Sequence, residues 1–112
     1  RAFRRAGIDY LDTVALVRHS SWQAFEAWRR AENHRLVLFT TAAPQVYLDY
    51  AYRPDDVLLF GRESAGVPQE VHDSADARLR IPMQPGLRSL NVALAAAMAA
   101  GEALRQVRVG WP

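Results

Sequence analysis

Two short runs, Leu36 to Phe39 (LVLF) and Val57 to Phe60 (VLLF), constrain the fold more than any other feature of the chain. Each is apolar at every position and too short to be a helix, so each predicts a strand buried on both faces. Such strands belong to sheets covered on both sides. The segments between them carry helix signals. Ser20 or Ser21 is placed to cap a helix from Trp22 to Glu32, in which Trp22, Phe25 and Trp28 or Arg29 recur on one stripe. Pro68 suits the first position of a short helix to Asp73, and an alanine-rich helix follows Ser89. Further short strands are expected at Thr13–Val17, Val46–Tyr50 and Leu79–Ile81, and RAFRRAG reads as a helix end stopped by Gly7. The alternation predicts an α/β fold, a mostly parallel sheet flanked by helices.

The 112 residues suit a single domain, residues 1–112. The absence of cysteine excludes disulfides, thiolate metal sites and cysteine nucleophiles. His19, His34 and His72 lack ligand spacing, so no metal is expected. Every basic residue is arginine. Arginine suits phosphate recognition, but a coding bias toward Arg and Ala is the better explanation of the skew, and a net charge of +2 does not demonstrate nucleic-acid binding. The longest apolar run, Val92 to Gly101, is about half of the roughly 20 residues a spanning helix needs. A cytoplasmic location is the resulting expectation. The chain opens at Arg1 in a charged segment, and is expected to be a fragment lacking the first strand–helix unit.

In open α/β sheets, ligands bind beyond the carboxyl ends of the strands. Three loops qualify, after Phe39, Phe60 and Ile81. In FGRESAGVP (60–68), Gly61 and Gly66 have phosphate-loop spacing, but Val67-Pro68 stands where Lys-Ser/Thr is required. A dinucleotide fingerprint is also missing. The loop is then either a plain strand–helix turn or a glycine turn that brings backbone close to a ligand, displaying Arg62 and Glu63. In IPMQPGLRSLN (81–91), Pro85-Gly86 marks a type II turn, and Ser89 alone reads as a helix cap. The final helix places Ala93, Ala97 and Gly101 at i, i+4, i+8 with Ala96 and Ala100 beside them. That flat face suits close approach of another helix, as in a homodimer, and a mid-helix glycine costs on the order of 1 kcal/mol relative to alanine.

Taken together, LLFGRESAGVP and RIPMQPGLRSLNVALAAAMAAGEALRQ resemble motifs 2 and 3 of the SpoU branch of the SPOUT RNA methyltransferases. RRAGIDYLD and LVLFTT narrow the likeness to the enzymes that methylate the 2′-oxygen of tRNA nucleotide 34. The resemblance covers almost the whole chain. It implies a C-terminal trefoil knot, which periodicity could not reveal, an obligate homodimer, and S-adenosylmethionine (AdoMet) as cofactor. By motif position it implies that Phe39, Thr40, Gly61, Ile81, Met83, Ser89 and Leu90 line the cofactor pocket. Glu63, Ser89 and Asn91 would support catalysis by orienting loops and substrate, and Arg4, Arg5, Arg62 and Arg88 are candidate RNA phosphate contacts. Two departures stand out. The family's Asn-x-Gly-x-x-x-Arg element, whose Arg is the usual candidate for activating the 2′-hydroxyl, has no counterpart here and is expected upstream. Gly101 stands where some relatives have tyrosine. The rival expectations are a 2′-O-methyltransferase acting on another tRNA position or on rRNA, and a non-catalytic knotted module that binds AdoMet or RNA.

Overall fold

A computed structural model of the chain describes residues 17–61, 67–82 and 91–108, with Asn91 described by its backbone alone. The chain divides into two compact units, residues 1–31 and 32–112.

In the first unit, helix α1 spans Trp22–Ala31. Ser21 starts it: its Oγ accepts the Ala24 N–H at 3.0 Å, satisfying one of the amides that a helix start leaves without a partner. The helix stops one residue short of the expected Glu32, and Asn33 takes the left-handed conformation (φ 61°) that Asn tolerates better than most residues. The expected stripe forms, with Trp22 on Phe25 at 5.3 Å between ring centroids and Phe25 on Trp28 at 6.0 Å. Arg29, counted as an alternative stripe member, is buried as an ion: Nε and Nη2 reach Glu26 at 2.6 and 2.7 Å. Those bonds hold the Glu26 carboxyl below its ordinary pKa. Val17, the described residue of the strand expected at 13–17, is 62% exposed; the rest of that segment and RAFRRAG lie outside the described residues.

The second unit is a parallel sheet with β1 (Leu36–Phe39), β2 (Gln45–Val46), β3 (Val57–Phe60) and β4 (Ala77–Arg80) in the order β2-β4-β1-β3. β1 and β3 occupy the residues their sequences predict, but β3 is half-buried throughout rather than buried on both faces, because it is outermost in the described sheet. β1 is buried throughout, because it lies between β4 and β3. Leu36, Val37 and Leu38 are wholly buried, as is Leu79. β2 is shorter than the expected Val46–Tyr50. After Val46 the chain turns into a 3₁₀ turn, Tyr47–Asp49, which buries Tyr47 in the core while the Tyr52 hydroxyl donates to the Tyr47 carbonyl at 2.9 Å. Aromatic residues that suit a strand are thus used to fill the core from a turn.

Helix α2 is Gln69–Ser74. Pro68 precedes it rather than opening it, with ψ 153°, and its carbonyl accepts the N–H of Val71 and His72. β4 begins two residues before the expected Leu79. Arg78 interrupts the apolar pattern there, yet its Nε donates to the His72 carbonyl at 2.9 Å and lets the strand continue. Helix α3, Asn91–Val107, packs Ala99, Met98, Ala103 and Val107 with Val37, Phe39, Leu79, Leu58 and Phe60 in one core. Ala93, Ala97 and Gly101 are exposed, and a Cβ at Gly101 would meet nothing within 4 Å. Among the described residues, no helix is long and apolar enough to cross a membrane. The insertion of β4 between β1 and β2 is observed; the segment 83–90, on which the expected threading depends, lies outside the described residues.

Candidate functional site at the carboxyl edge

All four described strands run parallel, so their carboxyl ends share one edge of the sheet. Phe39 pairs with Phe60 on one side and with Leu79 on the other. Thr40 and Gly61 therefore emerge side by side from β1 and β3, and Ile81 lies two residues beyond the partner of Phe39 on β4. The sheet register alone brings together Phe39, Thr40, Gly61 and Ile81. Thr40, Gly61 and Ile81 are half-buried, whereas Phe39 is buried and its ring stacks on Phe60 with centroids 4.6 Å apart. Phe39 thus gives its side chain to the core.

The adjoining loop is held in place by short-range bonds. The Thr40 N–H donates to Leu79 O at 2.9 Å, and Thr40 Oγ1 accepts from the Ala42 N–H at 3.3 Å. Arg80, whose side chain the sequence did not single out, donates from Nε to the carbonyl of the buried Ala43 at 3.1 Å. A signal for it did exist: Arg-Leu-Arg in β4 puts Arg78 and Arg80 on the same strand face. Both use Nε to satisfy a carbonyl.

This edge is chemically suited to an adenosine-containing cofactor. Thr40, Gly61 and Ile81 carry no charge; they combine apolar surface with strand-end backbone, which can hydrogen-bond the edge of a purine while apolar surface covers its face. Glu63, Ser89, Met83 and Leu90 lie outside the described residues, as do Arg4, Arg5, Arg62 and Arg88; Asn91 is placed as the first residue of α3, and its side chain is not described.

An open parallel sheet with a ligand-compatible carboxyl edge defines an α/β protein of the nucleotide- or cofactor-binding kind. The SpoU rRNA Methylase family matches residues 1–101, and the chain belongs to that family. The tRNA (cytidine(34)-2′-O)-methyltransferase of Beijerinckia indica is 65% identical over 96% of this chain and 67% of its own length. The protein of the same name from Escherichia coli is 37% identical over the whole chain and 70% of its own length. The chain thus spans about two thirds of the length of these relatives, 66% in the case of the Ancylobacter novellus protein. Among solved structures, one described as giving insights into the 2-OH methylation of C/U34 on tRNA superposes with a TM-score of 0.79 at 40% identity, over 91% of this chain and 66% of that one. The SpoU methyltransferase AviRb from Streptomyces viridochromogenes, in complex with the cofactor AdoMet, gives 0.81 at 28% identity, over 96% of this chain and 44% of that one.

Proposed function

We propose that the chain is the catalytic domain, residues 1–112, of an enzyme that transfers a methyl group from AdoMet to a ribose 2′-hydroxyl of tRNA. The target is nucleotide 34, the wobble position, as cytidine or a modified uridine. The observation that carries this reading is the 65% identity to a tRNA (cytidine(34)-2′-O)-methyltransferase across 96% of the chain. When bound, AdoMet supplies an electrophilic methyl group on a sulfonium. The protein's task is to hold the 2′-oxygen in line with that methyl group and to help its proton leave, which is chiefly a matter of orientation.

In this reading Thr40, Gly61, Ile81 and the backbone of Phe39 form the ledge for the cofactor, and Met83, Ser89 and Leu90 complete it. Glu63, Ser89 and Asn91 orient the loops and the ribose, without any of them being assigned as the base. Arg4, Arg5, Arg62 and Arg88 contact tRNA phosphates around the anticodon stem-loop, positioning the substrate without reading its sequence. A second copy of the chain packs against the Ala93, Ala97 and Gly101 face of α3, and the chain from β4 into α3 passes through a trefoil knot. The protein works in the cytoplasm, where tRNA is modified.

The test is to incubate the full-length protein with labelled AdoMet and bulk unmodified tRNA, then digest to nucleosides and map the label. The expected product is 2′-O-methylcytidine or 2′-O-methyluridine at position 34. Label at another position, or in rRNA only, overturns the substrate. Binding of AdoMet without transfer to any RNA overturns catalysis and leaves a binding module.

A further inference from the structure

β1 and β2 are consecutive in sequence but are not neighbours in the sheet, because β4 lies between them. The connection 40–44 leaves β1 after Phe39, whose partner on β4 is Leu79, and enters β2 at Gln45, whose partner is also Leu79. The connection therefore crosses β4 at the level of a single residue. Adjacent strands lie about 4.8 Å apart, so the span is roughly 10 Å. A five-residue connection covers that distance with slack to spare, since each residue can extend about 3.3 Å. Length alone therefore does not determine where the crossing sits.

What determines it is β4, which holds the crossing near both ends. On the β1 side, the Thr40 N–H donates to Leu79 O at 2.9 Å. On the β2 side, Arg80 Nε donates to Ala43 O at 3.1 Å. Between them, the Ala43 N–H reaches Thr40 O at 3.4 Å and closes a turn. Ala43 is only 5% exposed, and a buried carbonyl needs a donor. Arg80 supplies it from the last position of β4, next to the cofactor edge.

We infer that Arg80 is a positioning residue for the cofactor edge: its Nε–H fixes the Ala43 carbonyl and so holds the 40–44 crossing in the form that presents Thr40 beside Gly61 and Ile81. The inference rests on the AdoMet reading above. Without that bond the β2 end of the crossing is released, the fraction of protein with Thr40 in place falls, and apparent cofactor affinity falls by the same factor.

Two substitutions separate the hydrogen bond from the charge. In Arg80→Gln, the amide nitrogen occupies the chain position of Arg Nε, so the donor is kept and the charge removed. In Arg80→Met, a side chain of similar reach keeps the apolar stem and loses the donor. AdoMet binding to the full-length protein is measured calorimetrically without RNA, followed by KM and kcat with tRNA. Arg80→Met is expected to weaken AdoMet binding about tenfold and raise its KM, with kcat at saturating AdoMet near that of the wild type, while Arg80→Gln stays within about twofold of wild type. Equal loss in both variants assigns the effect to charge and overturns the inference, as does wild-type affinity in both. A wild-type protein that fails to bind AdoMet overturns the cofactor reading itself. Should Arg80→Met fail to fold, Arg80→Gln is compared with Arg80→Lys, which keeps the charge but carries its amine one atom further out. Wild-type-like AdoMet binding by Gln with weakened binding by Lys supports the hydrogen bond, and weakened binding by Gln or wild-type binding by both overturns it.

Discussion

At the amino edge of the sheet, side chains tie one strand to the next, whereas at the carboxyl edge the backbone does most of the tying. Arg35 meets Asp56 through Nε and Nη2 at 2.8 and 2.7 Å, spends Nη2 also on Ala51 O at 3.0 Å, and lies over the Tyr50 ring at 5.0 Å. The bond to Asp56 raises the Arg35 pKa further. The Asp56 carboxylate is 2% exposed and also accepts the Arg53 N–H. Asp76 accepts the Leu36 N–H at 2.7 Å and returns its own N–H to Leu36 O at 2.8 Å, clasping β4 to β1. At the other edge stand Thr40, Gly61 and Ile81, uncharged and half-buried. The comparison teaches that strand order can be secured at one end of a parallel sheet while the other stays available for a ligand.

Asp56→Ala attacks that division most directly. It leaves the Arg35 guanidinium and the Arg53 amide without their acceptor, and loss of one partner of a largely buried pair is expected to cost about 3 kcal/mol, a little less than for a fully buried one. Urea unfolding measures the loss. AdoMet affinity of the folded variant is expected to stay within about twofold of wild type, and a parallel loss of affinity would show that the two edges are coupled.

Tyr52→Phe probes the turn that follows β2, at smaller scale. The hydroxyl donates to Tyr47 O, and burial is the main cause that raises its pKa above the ordinary 10.0. A raised phenol favours the protonated fold, so its contribution is complete below pH 10 and declines as pH rises beyond it. The variant is expected to lose about 1 kcal/mol near neutral pH and to show less alkaline destabilisation than wild type. Urea midpoints on both sides of pH 10 check both effects. Thr40→Ala works at the carboxyl end of β1. It removes an exposed 3.3 Å bond to the Ala42 N–H, so stability should fall by about 0.5 kcal/mol, whereas AdoMet binding should weaken several-fold. Calorimetry that finds the reverse order, stability lost and affinity kept, would remove Thr40 from the ledge.

The sheet was legible where every side chain agreed with the pattern. LVLF and VLLF are strands to the residue because an all-apolar run leaves no polar position to mislead, although only LVLF is buried throughout and VLLF, outermost in the described sheet, is half-buried. Legibility failed where one residue served two purposes. Tyr47 and Tyr50 suit a strand, but Tyr47 is needed in the core at an angle that only a turn provides. Arg78 looks like a residue that precedes the strand, and only the position of His72 O shows how the strand can contain it. The carboxyl edge was partly legible for a related reason: correct strand ends place Thr40 and Gly61 side by side, while their assignment to a cofactor is what the family resemblance implies. Arg80 was not, because its role depends on which strand lies between β1 and β2, and strand order is not written in local pattern. The reading of Glu63 and Ser89 came from motif resemblance alone.

Gly101 gives the most selective effect. It lies in the middle of α3, exposed, with open space where a Cβ would point. In a lone chain Gly101→Ala should therefore stabilise, by up to about 1 kcal/mol, because the helix gains propensity and no neighbour has to move. A second helix seated on the Ala93, Ala97 and Gly101 face would meet the new methyl group at close range and offset that gain. The two contributions depend differently on protein concentration, since only the second involves a partner. Thermal unfolding over a wide concentration range should show Gly101→Ala above wild type when dilute and level with it or below when concentrated. A gain of the same size at every concentration would mean that this face meets no partner, and the homodimer would have to be built elsewhere on the molecule.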